Sequence, residues 1–137
     1  MADLLETLIN AGSFNTLIKT METTELVDTL KSPGPFAVFA PVDEAFARMP
    51  EGVLDELLQD VSRLRKIVAY HIVPGDVRSD DLLQIEEAPT LEGSVLVVDT
   101  SKGYKINQAI VLEPDMLADN GVIHVIDSIL MPAIMEF

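Results

Sequence analysis

Apolar residues recur at intervals of three and four over the first third of the chain. Leu4, Leu5, Leu8 and Ile9 share one helical face, and Gly12 stands where a left-handed residue would end that helix. Ser13 is placed to cap a second helix that gathers Phe14, Leu17, Ile18 and Met21, and Thr24 to cap a short turn through Val27 and Leu30. Ser32-Pro33-Gly34-Pro35 interrupts the pattern, because proline lacks an N–H and restricts the residue before it. The apolar run Phe36 to Ala40, closed by Pro41, then predicts a buried strand. Short helices are predicted from Asp43 to Arg48 and from Glu51 to Leu58, and a third brings Leu64, Ile67, Val68 and His71 to one apolar face.

From Ile72 the period changes. Pro74-Gly75 predicts a turn and Ser79 to Leu83 a short helix, after which β-branched runs alternate with turn signals. Ser94 to Asp99 and Tyr104 to Asn107 flank Thr100-Ser101-Lys102-Gly103 as a hairpin. Ile110 to Leu112 adds a strand, and Asp119-Asn120-Gly121 turns into a last one, Val122 to Ile126. Helices in the first half and strands in the second predict an α+β fold, with helices segregated against a largely antiparallel sheet or sandwich. With 137 residues, 48% of them hydrophobic, and no linker, repeat or low-complexity tract, residues 1–137 read as a single domain.

Charge narrows the partners. Nine basic residues against 23 acidic ones give a formal charge of −14, which repels phosphate backbones and anionic lipid heads, so nucleic acid is excluded as a partner. Such charge suits a dispersed monomer, and the competing idea of strand edges pairing between copies has to overcome it. No segment approaches the ~20 apolar residues needed to span a bilayer, so membrane insertion is not expected. The start at Met1 has no basic, apolar and small-residue leader, which reads as a cytoplasmic protein or a mature form rather than an intact secretory precursor. Without cysteine, disulfide and thiol chemistry are excluded, and the redox compartment stays open.

Candidate chemistry is sparse. A metal site would need both histidines, His71 and His124, joined in space by carboxylates, and no ligand spacing announces one. That leaves a metal-dependent or small-molecule enzyme built on His71 and His124 as the alternative, against the reading that each imidazole is a hydrogen-bonded core residue. Glu92-Gly93-Ser94 lacks the glycine pattern of a nucleophile elbow, and Pro33-Gly34-Pro35 is too stiff and lacks the lysine of a phosphate loop. Asp80-Asp81 and Glu86-Glu87 point apart on a helix and read as solvated faces, and no stretch has the oxygen spacing of a calcium loop. No cofactor is implied.

Three segments in fixed order resemble the fasciclin domain family: Gly34 to Phe46 (GPFAVFAPVDEAF), then Tyr70-His71-Ile72-Val73, then Asn120 to Asp127 (NGVIHVID) with Leu130 and Pro132 behind it. The resemblance covers essentially the whole chain. It implies a wedge-shaped β-sandwich with N-terminal helices packed along one edge, and a non-enzymatic adhesion module meeting a protein or polysaccharide partner at a cell surface or in a matrix. A lone domain of this kind is similar to bacterial or archaeal members, and the family suggests an extracellular, periplasmic or surface-attached location.

Site residues follow from the same resemblance. The family's Tyr-His motif falls on Tyr70 and His71, whose imidazole is expected to bond near Asp43, at the end of the first box. Val42 stands where the family usually carries Thr or Ser, which removes a hydroxyl from that network. Asp43, His71 and His124 are thus expected to form a structural network. Glu113-Pro114-Asp115-Met116-Leu117 resembles an integrin-binding segment, with its last two apolar residues exchanged. It is therefore a candidate contact together with Tyr70 and His71. Plain structure is the competing expectation: Pro114 breaking a strand, Asp115 capping a turn, and Met116 and Leu117 packing inward.

Overall fold

A computed structural model describes residues 3–49, 52–101, 103–107 and 109–130. The early apolar spacing produces α1 (Leu4–Ala11), α2 (Asn15–Thr23) and α3 (Val27–Lys31), with Leu4, Leu8, Leu17, Met21 and Leu30 buried. Asp3 caps α1 through Glu6 N–H, and Gly12 ends it at φ 79°.

Two expected caps do not form. Ser13 is exposed and only its carbonyl is used, accepting from Asp43 N–H, while Thr24 turns its hydroxyl back onto Thr20 O. A cap supplied from a distance replaces the first: Asp43 Oδ1 accepts Thr16 N–H at 2.8 Å and Oδ2 accepts from Asn15 Nδ2.

After the proline-rich break come β1 (Phe36–Pro41), α4 (Asp43–Ala47), α5 (Val53–Gln59), α6 (Val61–Ala69) and β2 (Ile72–Pro74). Glu51, predicted to open α5, lies outside the described residues. Val42 occupies the N-cap position of α4 and brings no side-chain cap, as its missing hydroxyl implies. The second half holds α7 (Ser79–Leu82), β3 (Glu87–Pro89), β4 (Val95–Asp99), β5 (Lys105–Ile106), β6 (Ala109–Ala118) and β7 (Gly121–Ile126).

The seven strands run in the order β2-β1-β7-β6-β5-β4-β3, and every pairing is antiparallel except β1 with β7. The sheet curls so that its ends approach: Leu91 N–H, just beyond β3, donates to Ile72 O of β2 at 2.9 Å. Its two edge strands are therefore three residues long, end in proline and lie beside each other, which leaves little free edge for pairing with another copy.

Alternation along the central pair sorts the core into two clusters. Val38, Ala40, Ile123 and Val125 face the helices α1 to α6, while Ala37, Phe39, Val122 and Ile126 face Leu82, Ala88, Leu96, Val98 and Ile106. Both β1 and β7 are covered on both sides, which is why Phe36 to Ala40 reads as a continuous apolar run. The architecture is α+β, a curled sandwich with the early helices packed on it, in agreement with the sequence reading.

The point where β1 and β7 begin is tightly clasped. Asn120 Oδ1 accepts Leu4 N–H at the start of α1, and its Nδ2 donates to Leu30 O and Ser32 O at the end of α3. A Cβ on Gly121 would lie 2.0 Å from Phe36 O, so only glycine lets the strands meet there. In the sequence Asn120-Gly121 reads as a turn and as the head of the third family segment, and neither signal says where the amide points. The dipeptide signals a turn equally well whether its amide points to solvent or into a helix junction.

Candidate functional site

His71 stands two residues past the end of α6, after its C-cap Tyr70, and is buried beside Leu17, Phe46, Ile67 and Val68. Leu130 N–H donates to its Nε2 at 2.9 Å, which fixes that nitrogen as an acceptor. Nδ1 therefore carries the proton and donates to Ile67 O at 2.7 Å. Burial pushes the imidazole down to about 4, against a smaller upward pull from the Ile67 carbonyl, so the ring is neutral at pH 7. The expected bond toward Asp43 is not made. Asp43 is committed to the start of α2, and a backbone carbonyl and amide, which carry no side-chain signature, take its place.

His124 lies in the other core cluster, its ring stacked on Phe39 with centroids 5.3 Å apart. Asp115 N–H donates to Nδ1 at 3.3 Å and Nε2–H donates to Val77 O at 2.7 Å. Its pKa is lowered by burial, opposed by the Val77 carbonyl and by the nearby Asp115 charge. The two histidines thus serve different cores and hold opposite tautomers. Each spends both ring nitrogens on backbone groups, leaving no lone pair for a metal and no proton poised for transfer. Among the described residues no three His, Asp or Glu side chains are grouped to hold a metal ion. Asp43, His71 and His124 therefore sit in three separate hydrogen-bond sets rather than one network.

The segment Glu113 to Leu117 is strand, not turn. β6 runs through Pro114 and keeps pairing with β7 by two register shifts, between Val111 and Glu113 and between Glu113 and Met116. At the second shift Asp115 adopts φ 59°, and this bulge aims its carboxylate at α7. Oδ1 accepts Ser79 N–H at 2.8 Å and Oδ2 accepts the Ser79 hydroxyl, so Asp115 caps the start of α7 across the fold. Desolvation raises the Asp115 pKa, but the two Ser79 bonds and the His124 and Arg78 charges outweigh it and leave the carboxyl below its usual value. Met116 packs against the helix-side core as expected, whereas Leu117, expected inward, is 55% exposed.

Tyr70 is buried at 5% exposure in the sheet-side core, and its hydroxyl donates to Val95 O and accepts from Asn107 Nδ2. Of the residues singled out as partner contacts, Tyr70 and His71 are out of a partner's reach. Pro114, Asp115 and Met116 are partly covered, and Glu113 and Leu117 are open. What the geometry assembles is a seam in which the β6 bulge, His124 and α7 hold one another. Sequence reading missed Ser79 and Asn107, because a partner 36 or 37 residues away leaves no local pattern.

A model of the fasciclin domain matches residues 12–132. The protein belongs to the fasciclin domain family. It is 40% identical over 131 residues to an uncharacterized protein of Synechocystis sp., covering 96% of this chain and 98% of that one. Transforming growth factor-beta-induced protein ig-h3 of Sus scrofa is 30% identical over 133 residues, covering 96% of this fasciclin domain and 20% of that protein. A solved FAS1 domain pair from the insect cell adhesion molecule Fasciclin I shares the fold, with a TM-score of 0.70 at 21% identity over 88% of this chain and 46% of that one. Among the described residues no helix is long and apolar enough to cross a membrane.

Proposed function

We propose that this fasciclin domain is a non-enzymatic binding module that makes adhesive contacts with a protein or polysaccharide partner at a cell surface or in a matrix. One observation carries the reading: all four imidazole nitrogens are hydrogen-bonded to backbone groups inside the fold. Side chains that could run acid–base or metal chemistry therefore brace the scaffold, and recognition is left to exposed strands and loops. The shared fold with a cell adhesion molecule points the same way.

The test is attachment of cells, and capture of cell-surface protein and polysaccharide fractions, by the immobilised domain. Saturable attachment is expected to survive in an Asp115→Asn variant, whose carboxylate braces α7. A partner held by the segment Glu113 to Leu117 is lost in a variant carrying Glu113→Gln and Leu117→Ser, the two open side chains, and one held elsewhere is not. Absence of attachment to every fraction, or a turnover abolished by replacing His71 or His124, would overturn the proposal.

A further inference from the structure

The outer face of β4, β5 and β6 carries side chains that neither core cluster uses. Burial alternates along β4, with Leu96 and Val98 inward and Val95, Val97 and Asp99 outward. Register places the rest: Glu87 lies opposite Val97, Pro89 opposite Val95, and Lys105 stands between Asp99 and Ile110. Val95 is 42% exposed, Val97 54%, Ile110 47% and Leu112 56%. These aliphatic groups lie within and on either side of the Asp99–Lys105–Ile110 row and expose on the order of a few hundred Å² in all, the ordinary size of the largest apolar surface on a folded protein, which is often functional.

The strand edges are short and closed by proline, so main-chain pairing is not what this face offers; its side chains are. Charge sets the partner. Lys105 stands opposite Asp99 in the β4–β5 register, Glu87 stands opposite Val97 in the β3–β4 register, and the whole chain carries −14. An anionic polymer or a second copy of this chain is repelled from such a face, whereas a basic partner is drawn to it.

From this face we infer that the domain binds a positively charged segment of a protein partner, whose aliphatic side chains cover Val95, Val97, Ile110 and Leu112 while its lysines or arginines meet Glu87 and the surrounding acidic surface. This rests on the binding-module reading and names its surface and partner class.

The probes are two synthetic peptides of equal positive charge, an amphipathic one of lysine and leucine and one of lysine and serine, titrated into the isotope-labelled intact protein at physiological ionic strength. Amide shifts are expected to concentrate on β4, β5 and the first half of β6, with the lysine–leucine peptide bound at least roughly tenfold more tightly than the lysine–serine one. A variant carrying Val97→Lys and Ile110→Lys, which changes outward side chains only, is expected to lose that preference while melting within a few degrees of the parent. Equal binding of both peptides, shifts scattered over the acidic surface, shifts on another face, no binding at all, or self-association through this face by light scattering would each overturn the inference. Should the double variant still attach to cells as the parent does, this face falls as the adhesive surface and the adhesion reading stands. Localised peptide binding without any cell attachment would leave the face standing and remove the adhesion reading.

Discussion

Asn120→Ala is expected to destabilise the domain by about 4 kcal/mol, because it leaves Leu4 N–H, Leu30 O and Ser32 O without their buried side-chain partner, each at about 1–3 kcal/mol. For a chain of this size that lowers the melting temperature by roughly 10 °C or more. The magnitude follows from where the amide sits. It joins the first turn of α1 and the exit of α3 to the residue that opens β7, so its loss loosens a helix–helix–strand junction rather than one turn. Asn120→Asp is expected to do no better, since a carboxylate would face two carbonyl oxygens where the amide donates to both. Thermal melts of the two variants settle it; a fall of only a degree or two in Asn120→Ala would show that the junction is held by packing alone.

The second large effect belongs to His71. His71→Ala removes a buried ring and strips Leu130 N–H of its acceptor, which together cost about 3 kcal/mol or more. The same ring makes the parent protein sensitive to mild acid. Its folded pKa of about 4 lies below the unfolded value of 6.5, so the unfolded chain takes up a proton that the folded chain refuses. The neutral-ring stability is fully present above pH 6.5 and falls as pH drops toward 4, by about 3 kcal/mol in all. His124, also lowered by burial, adds a loss of the same sign. Asp115, held below the ordinary carboxyl value, gives up its own contribution only at lower pH. Denaturant titrations at steps between pH 7 and pH 4 are expected to show this slope in the parent and a shallower one in His71→Ala. Parallel slopes would remove the ring from the acid response.

Which features could be read from the chain depended on the range of the interaction that fixes them. Local periodicity placed α1, α2 and α6, the doubly buried β1 and the β4–β5 hairpin, since each is written in neighbouring residues. Strand pairing was less visible. The parallel contact between β1 and β7 joins residues some 85 positions apart, and the bulged course of β6 through Pro114 is paid for by Asp115 reaching α7. Proline and a left-handed aspartate read locally as a turn; the bonds that keep them in a strand come from Ser79 and His124. The same limit explains the caps. Ser13 and Thr24 have the right chemistry at the right spacing, yet Asp43, 27 residues from Thr16, supplies the cap of α2.

Family resemblance carried the three boxes and the fold. It also suggested a histidine bond toward Asp43, which the backbone of Ile67 and Leu130 makes instead. The outward row on β4 to β6 is not legible as alternation, because Val95 to Val98 and Ala109 to Leu112 are unbroken apolar runs; it needed the burial pattern of β4 and the register that sets Lys105 between Asp99 and Ile110.

Long-range nitrogen–proton spectra of the two imidazoles, followed from pH 7 down to pH 4, probe most directly whether these rings belong to the scaffold. The result expected is two neutral rings of opposite tautomer at pH 7, His71 protonated on Nδ1 and His124 on Nε2, with His71 resisting protonation to about pH 4. Rings that titrate together near 6.5 and exchange freely between tautomers would mean that both are open to solvent, and the division between braced interior and recognising surface would be wrong.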